Sequence, residues 1–173
     1  HILDSFPKAL EMLNIFKASG GGTIVEATPE TWGRDVPGLY LASKTTGVHV
    51  IACTGYMNQD SGMTEREDHL TIDDIAEVEH KDITEGMDGT FVKAGWVKCG
   101  TSYCHITPNE EKAIRAGARV AKETGVVLHS HTTTGTMGLE ILDILKEENF
   151  DPSRMILAHI DRFPDLWYHR RLL

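Results

Sequence analysis

The sequence holds no apolar run long enough to cross a bilayer, and its first residues show no basic segment followed by a signal-type apolar core. A soluble, cytoplasmic protein without a membrane partner is therefore expected. Positive charge is scarce as well: 17 Lys and Arg stand against 26 Asp and Glu, for a formal net charge of -9. Nucleic acids and anionic membranes are bound by clustered Lys and Arg, so an acidic chain points away from both and toward a small-molecule partner. Cysteine is sparse too. Cys53, Cys99 and Cys104 have no paired spacing that suggests a disulfide framework. Cys99 and Cys104, separated by four residues and with no second pair, make a poor zinc motif, and all three cysteines read as small buried hydrophobes. Low-complexity tracts, interdomain linkers and repeats finer than a βα unit are also missing. What remains is an ordinary globular balance, 40% hydrophobic and 25% charged, in one domain's length of chain. Residues 1–173 are read as a single domain.

Along the chain, strand and helix patterns alternate. "PKALEMLNIFKASGGG" carries apolar residues at helical spacing and ends in glycines suited to a left-handed cap. "TIVEAT" is a short apolar run that reads as a buried strand. "DVPGLYLASKTTG" and "VHVIACTG" repeat the pair, and after the polar loop "YMNQDSGMTERED" come the helix "TIDDIAEVEHKDITEG" and the strand "TFVKAGWVKCG". "TPNEEKAIRAGARVAKETG" opens with a Thr-x-x-Glu capping box and a proline at the first helical position. "VVLHSH", "GLEILDILKEENF" and "RMILAH" follow as strand, helix and strand, and "PDLWYHRRLL" begins one more helix. Five strands alternating with helices predict an α/β fold with a parallel sheet. In such sheets the chemistry gathers at the carboxyl ends of the strands.

Three consecutive strands end in "WVKCG", "LHSH" and "ILAH", which puts Lys98, His131 and His159 at matching positions. Adjacent strands lie about 4.8 Å apart, so three such side chains facing one way can converge on one metal cluster. Histidine suits zinc, manganese or cobalt. Lysine does not in its ammonium form, which has no lone pair to give. Taken singly, Lys98 reads as a solvated strand end and each histidine as a hydrogen-bonded structural residue. The joint pattern favours a site.

The segments "GGGTIVEATPETWGRDV", "GVHVIACTGY", "EGMDGTFVKAGWVKCGTS", "ITPNEEKAIRAGARVAKETG", "HTTTGTMGLEILDIL" and "DPSRMILAHIDRFPD" together resemble the phosphotriesterase family of the amidohydrolase superfamily. The resemblance runs from about residue 10 onward, in matching order and spacing. It implies a (β/α)8 TIM barrel, of which a chain this length holds only about strands 2 to 6, since a full barrel takes roughly 250 residues. It also implies two divalent metal ions per complete site, Zn2+ first and Mn2+ or Co2+ as alternatives. Lys98, carbamylated by carbon dioxide, would bridge them, and His131 and His159 would bind the second. A carbamate is an anionic oxygen ligand, and burial favours the proton loss that forms it. His129, one step deeper on the same strand face, has no ligand role in that pattern and reads as structural. The family's first-strand His-x-His pair and eighth-strand aspartate cannot be placed; His1 is at most a remnant of the former.

The reaction implied is metal-assisted hydrolysis of a small-molecule lactone or related ester, including a phosphorylated sugar lactone. Phosphotriester or amide hydrolysis is the alternative within the family, and a non-catalytic metal-binding fragment the alternative outside it. Lys98 carries the reaction through the metals, and Asp161, two residues past His159, is a candidate hydrogen-bond partner for a metal ligand, or equally a surface aspartate. Trp32, Arg34, Tyr56 and Tyr103 are loop candidates for substrate contact or for packing. "HTTTGTMG" also admits a phosphate cradle at a helix N-terminus. Exposed edges of an open sheet would invite a homo-oligomer.

Overall fold

The computed structural model describes residues 5–61 and 67–173. The expectation placed on His1, and the part of the "YMNQDSGMTERED" loop covering residues 62–66, lie outside the described residues.

The strands are β1 (Thr23–Val25), β2 (His49–Ile51), β3 (Cys53–Gly55), β4 (Trp96–Thr101), β5 (Val127–Thr132) and β6 (Met155–Ala158). Every pairing is parallel, β1 with β2 and then β3-β4-β5-β6 in order. The single strand expected over 48–55 is divided at Ala52, where it changes partners. The carbonyl of Ile51 accepts from Glu26 beyond β1, and that of Ala52 accepts from Gly95 ahead of β4. The strand expected over 90–100 starts only at Trp96, because residues 87–92 close a tight turn in which Met87 donates to the Val92 carbonyl. Between the strands run α1 (Phe6–Ala18), α2 (Val36–Thr46), α3 (Ile72–Thr84), α4 (Pro108–Thr124), α5 (Gly138–Glu147) and α6 (Leu166–Leu172). The α4 capping box forms as read, with Thr107 and Glu110 exchanging side-chain and backbone hydrogen bonds. Among the described residues no helix is long and apolar enough to cross a membrane.

The core lies between the sheet and the helices. Val97 and Cys99 of β4 and Leu128 of β5 pack on Ile114, Ala118 and Ala121 of α4 and on Ile141 and Leu145 of α5. α4 seats closely because Gly117 faces the sheet: a Cβ there would lie 2.9 Å from Leu128 Cδ1 and 3.0 Å from Val97 Cγ1. Side chains alternate along a strand. With Val97, Cys99 and Leu128 committed to the helices, Lys98 and Gly100 of β4, and His129 and His131 of β5, turn to the opposite, interior face.

Among the described residues one buried carboxyl group has neither oxygen paired. Glu79 of α3 is 0% exposed, and neither carboxylate oxygen has a hydrogen-bond partner among the described residues. Burial, and then the negative charge of Asp82, push its carboxyl well above the usual range, which favours the neutral acid. The stability this contributes is complete below the ordinary carboxylate pKa and is lost as pH rises toward the raised value. Glu79→Gln, neutral at every pH, is therefore expected to flatten the fall in stability as pH rises above the ordinary carboxylate range, a fall that one group limits to about 1.4 kcal/mol per pH unit. Denaturant titrations at several pH values read this directly. Parallel curves for the two proteins would show that Glu79 does not titrate abnormally.

Candidate metal centre

The strand register shows how the three expected ligands meet. Lys98 pairs with Gly55 on one side and His129 on the other, while His131 pairs with Gly100 and Ala158. Lys98 and His131 are thus not level, as the strand ends suggested; Lys98 roots two residues lower, about 6.6 Å along the strand. Its four-carbon stem spans that offset. Lys98 is 5% exposed, and its Nζ donates to the carbonyl of Ala27, past the end of β1, at 2.5 Å. The ring of Trp32 lies 5.7 Å from the same nitrogen. Gly55 lets the β4 backbone lie close beside it at Lys98: its φ is +101°, and a Cβ there would collide with the Lys98 carbonyl oxygen.

His159 reaches the site by a backbone exception. Ala158 is level with His131 on the interior face, so alternation would send the next side chain outward. A left-handed conformation at His159, φ 68°, turns the ring back. The His131 and His159 rings end 4.9 Å apart, edge to face.

The threonines of "HTTTGTMG" stitch these strand ends together. Thr132 Oγ1 donates to the Ala158 carbonyl at 2.5 Å, just before His159. Thr133 Oγ1 donates to the Thr101 carbonyl at the end of β4, at 2.7 Å. Thr136 Oγ1 donates to the Thr133 carbonyl and accepts from the Cys104 backbone N–H. Hydroxyls donated to carbonyls are not free to cradle a phosphate, and the first amide of α5, Gly138, already donates to Tyr168 Oη at 2.7 Å. Three of the loop's hydroxyls and the first amide of α5 are therefore committed to the fold rather than to a phosphate.

Electrostatics suit a cation site. Burial, followed by His159, Lys98, His129 and Arg162, pushes the His131 imidazole down to about 4. It stays neutral above that pH, as a metal ligand must. Burial also pulls the Lys98 ammonium below its ordinary value, outweighing Cys53, Glu26 and Cys99, which raise it. That is the direction lysine needs to become a nucleophile or ligand. His129 sits beneath, its ring edge-on to Trp96 at 5.0 Å and its Nδ1 buried without a partner among the described residues. Among the described residues no three His, Cys, Asp or Glu side chains cluster closely enough to hold a metal. The set here is two imidazoles and a lysine, a donor set that fits a borderline divalent cation and leaves coordination positions for other ligands.

The remaining expected residues divide. Asp161 stands exposed in the short turn Ile160–Arg162, and no hydrogen bond joins its carboxylate to either histidine. Trp32 and Tyr103 are exposed on strand-end loops, with the Trp32 indole N–H donating to the Ser61 carbonyl. Arg34 and Tyr56 are packing residues, not substrate contacts. The Arg34 side chain is 2% exposed and paired with Asp82 and Asp88, and Tyr56 is buried against Ile75, Ala113 and Ala116. Cys53 and Cys99 are buried thiols pushed up to about 12 by burial, whereas Cys104, expected to be buried, is exposed because a left-handed turn carries it outward. Asn58 and Thr133 escaped the sequence reading. The threonine run was visible there, but nothing local marks Asn58, whose position depends on Gly100 lacking a side chain.

Over residues 4–173 the chain matches the family model for the phosphotriesterase family. It is 34% identical to the phosphotriesterase homology protein of Escherichia coli over 92% of this chain and 54% of that protein. An N-acetyltaurine hydrolase from Danio rerio is also 34% identical, over 94% of this chain and 46% of its own length. The crystal structure of a lactonase from Listeria monocytogenes superposes with a TM-score of 0.93 at 36% identity, covering 99% of this chain and 57% of that one. The chain thus spans about half the length of the proteins it matches, as a segment of a (β/α)8 barrel. From the matched span and the shared fold, the chain belongs to the phosphotriesterase family.

Proposed function

We propose that the chain contributes Lys98, His131 and His159 to the metal centre of a hydrolase acting on a lactone or related carboxylic ester, phosphorylated sugar lactones among them. The observation that carries this reading is the pairing of the His131 and His159 rings, 4.9 Å apart, with buried Lys98 on the same interior face of the neighbouring parallel strand. Two divalent cations, zinc or else manganese or cobalt, would supply a water of lowered pKa and polarise the scissile carbonyl. Lys98, as its carbamate, would hold both, and His131 and His159 would hold one. Trp32 and Tyr103, exposed at the mouth, are the aromatic surfaces this chain offers a substrate. Three free thiols accord with a reducing, cytoplasmic setting.

Amide hydrolysis is the second reading, supported by the similarity to N-acetyltaurine hydrolases; phosphotriesters are the third substrate class to test. A panel of a γ-lactone, an aryl acetate, an N-acetylated amine and a phosphotriester separates them, assayed before chelation, after it, and after zinc is returned. Lactone turnover that chelation abolishes and zinc restores is expected. Turnover that survives exhaustive metal removal would sink the reading.

A further inference from the structure

Thr133 Oγ1 has three neighbours within hydrogen-bonding reach: the Thr101 carbonyl at 2.7 Å, His131 Nε2 at 3.3 Å and Asn58 Nδ2 at 3.4 Å. A threonine hydroxyl has one proton and two lone pairs. The carbonyl can only accept, so it takes the proton, at the shortest of the three distances. The Asn58 amide nitrogen can only donate, so it takes one lone pair. The remaining lone pair faces His131 Nε2, which must then carry a hydrogen. We propose that Thr133, held by Asn58, is a positioning residue that fixes His131 in the Nε2–H tautomer and presents its bare Nδ1 to a divalent cation. The cation rests on the metal-centre reading above; the tautomer does not.

The anchor is built into the fold. Gly100 is the interior register partner of His131, and a Cβ on it would lie 2.7 Å from the Asn58 backbone nitrogen. The chain after β3 fills the space that a side chain at 100 would take. Asn58 is 3% exposed there, and its amide reaches across β4 to Thr133. Turned over, that amide would set its oxygen against a hydroxyl with no proton to spare. The observed orientation instead leaves Asn58 Oδ1 without a partner among the described residues. One hydroxyl therefore ties the ends of β3, β4 and β5 together around a single imidazole. Partners of this kind commonly change metal affinity about 10- to 100-fold when removed.

The test uses the chain labelled with ¹⁵N-histidine, as parent, Thr133→Val, Thr133→Ser and Asn58→Ala. Long-range ¹H–¹⁵N spectra of the metal-free proteins report the tautomer of His131. The parent and Thr133→Ser are expected to show Nε2–H, Thr133→Val a shift toward a mixture, and Asn58→Ala a smaller shift in the same direction. Zinc affinity by competition with a chelating dye is expected to fall about 10- to 100-fold in Thr133→Val and to be largely restored in Thr133→Ser. An Nδ1–H tautomer in the parent overturns the proposal whatever the variants do, as does a parent-like pattern in a folded Thr133→Val. Zinc binding absent from all four proteins, with the tautomer shift present, would instead overturn the metal-centre reading and leave the Thr133 assignment standing.

Discussion

On the proposed hydrolase reading, Lys98→Met is expected to keep the fold, to lose metal, and to lower kcat/KM by about 10²- to 10³-fold, the scale on which removing a charge-stabilising group acts. Methionine matches the length of the lysine stem and spares the interior a buried cation, so folding stability should hold or rise. Among the described residues the one side-chain hydrogen bond lost is that from Nζ to the Ala27 carbonyl. Metal content and denaturation midpoint together make the test decisive. A lysine that serves only structure would show the reverse pattern, with metal content unchanged and stability lowered by the orphaned carbonyl.

Arg34→Met should produce the largest loss of stability, about 3 to 5 kcal/mol, the usual cost of breaking a buried ion pair from one side. Arg34 donates to Asp82 at 3.1 Å, to both Asp88 oxygens and to the Cys53 carbonyl at 2.9 Å. Removing it leaves the Asp82 carboxylate near Glu79 with, among the described residues, only Thr54 as a hydrogen-bond donor. Against a domain stability of about 5 to 15 kcal/mol this is a large fraction. The same segment carries Ala27 and Trp32, which face Lys98, so metal affinity should weaken as well. Chemical denaturation measures the loss, and a change under about 1 kcal/mol would show that Arg34 does not anchor the loop.

Much of the fold was legible because periodicity and caps are local signals. The Thr107 and Glu110 box, the glycines closing α2 and α4, and the apolar runs of β4, β5 and β6 all stand in the sequence where the structure uses them. The division of 48–55 was not legible, since it arises from a change of pairing partner at Ala52. Turn hydrogen bonds likewise overrode an apolar stretch at 90–95. At the candidate site, the places of Lys98, His131 and His159 at the ends of neighbouring strands could be read from the sequence. Their geometry could not, because it depends on a register offset between β4 and β5 and on a left-handed residue at His159. Arg34 looked like a loop residue because its partners, Asp82 and Asp88, lie some fifty positions further on. Asn58 was invisible for a similar reason: what places it is the absence of a side chain at Gly100.

Metal content per chain tests the central claim most directly, measured by elemental analysis beside the intact mass under native conditions. The account predicts about two divalent ions for a complete site, a mass increase of one carbon dioxide on Lys98, and loss of metal when His131 and His159 are both replaced by alanine. Protein with no bound metal above background, an unmodified Lys98, and no change on replacing the two histidines would contradict it.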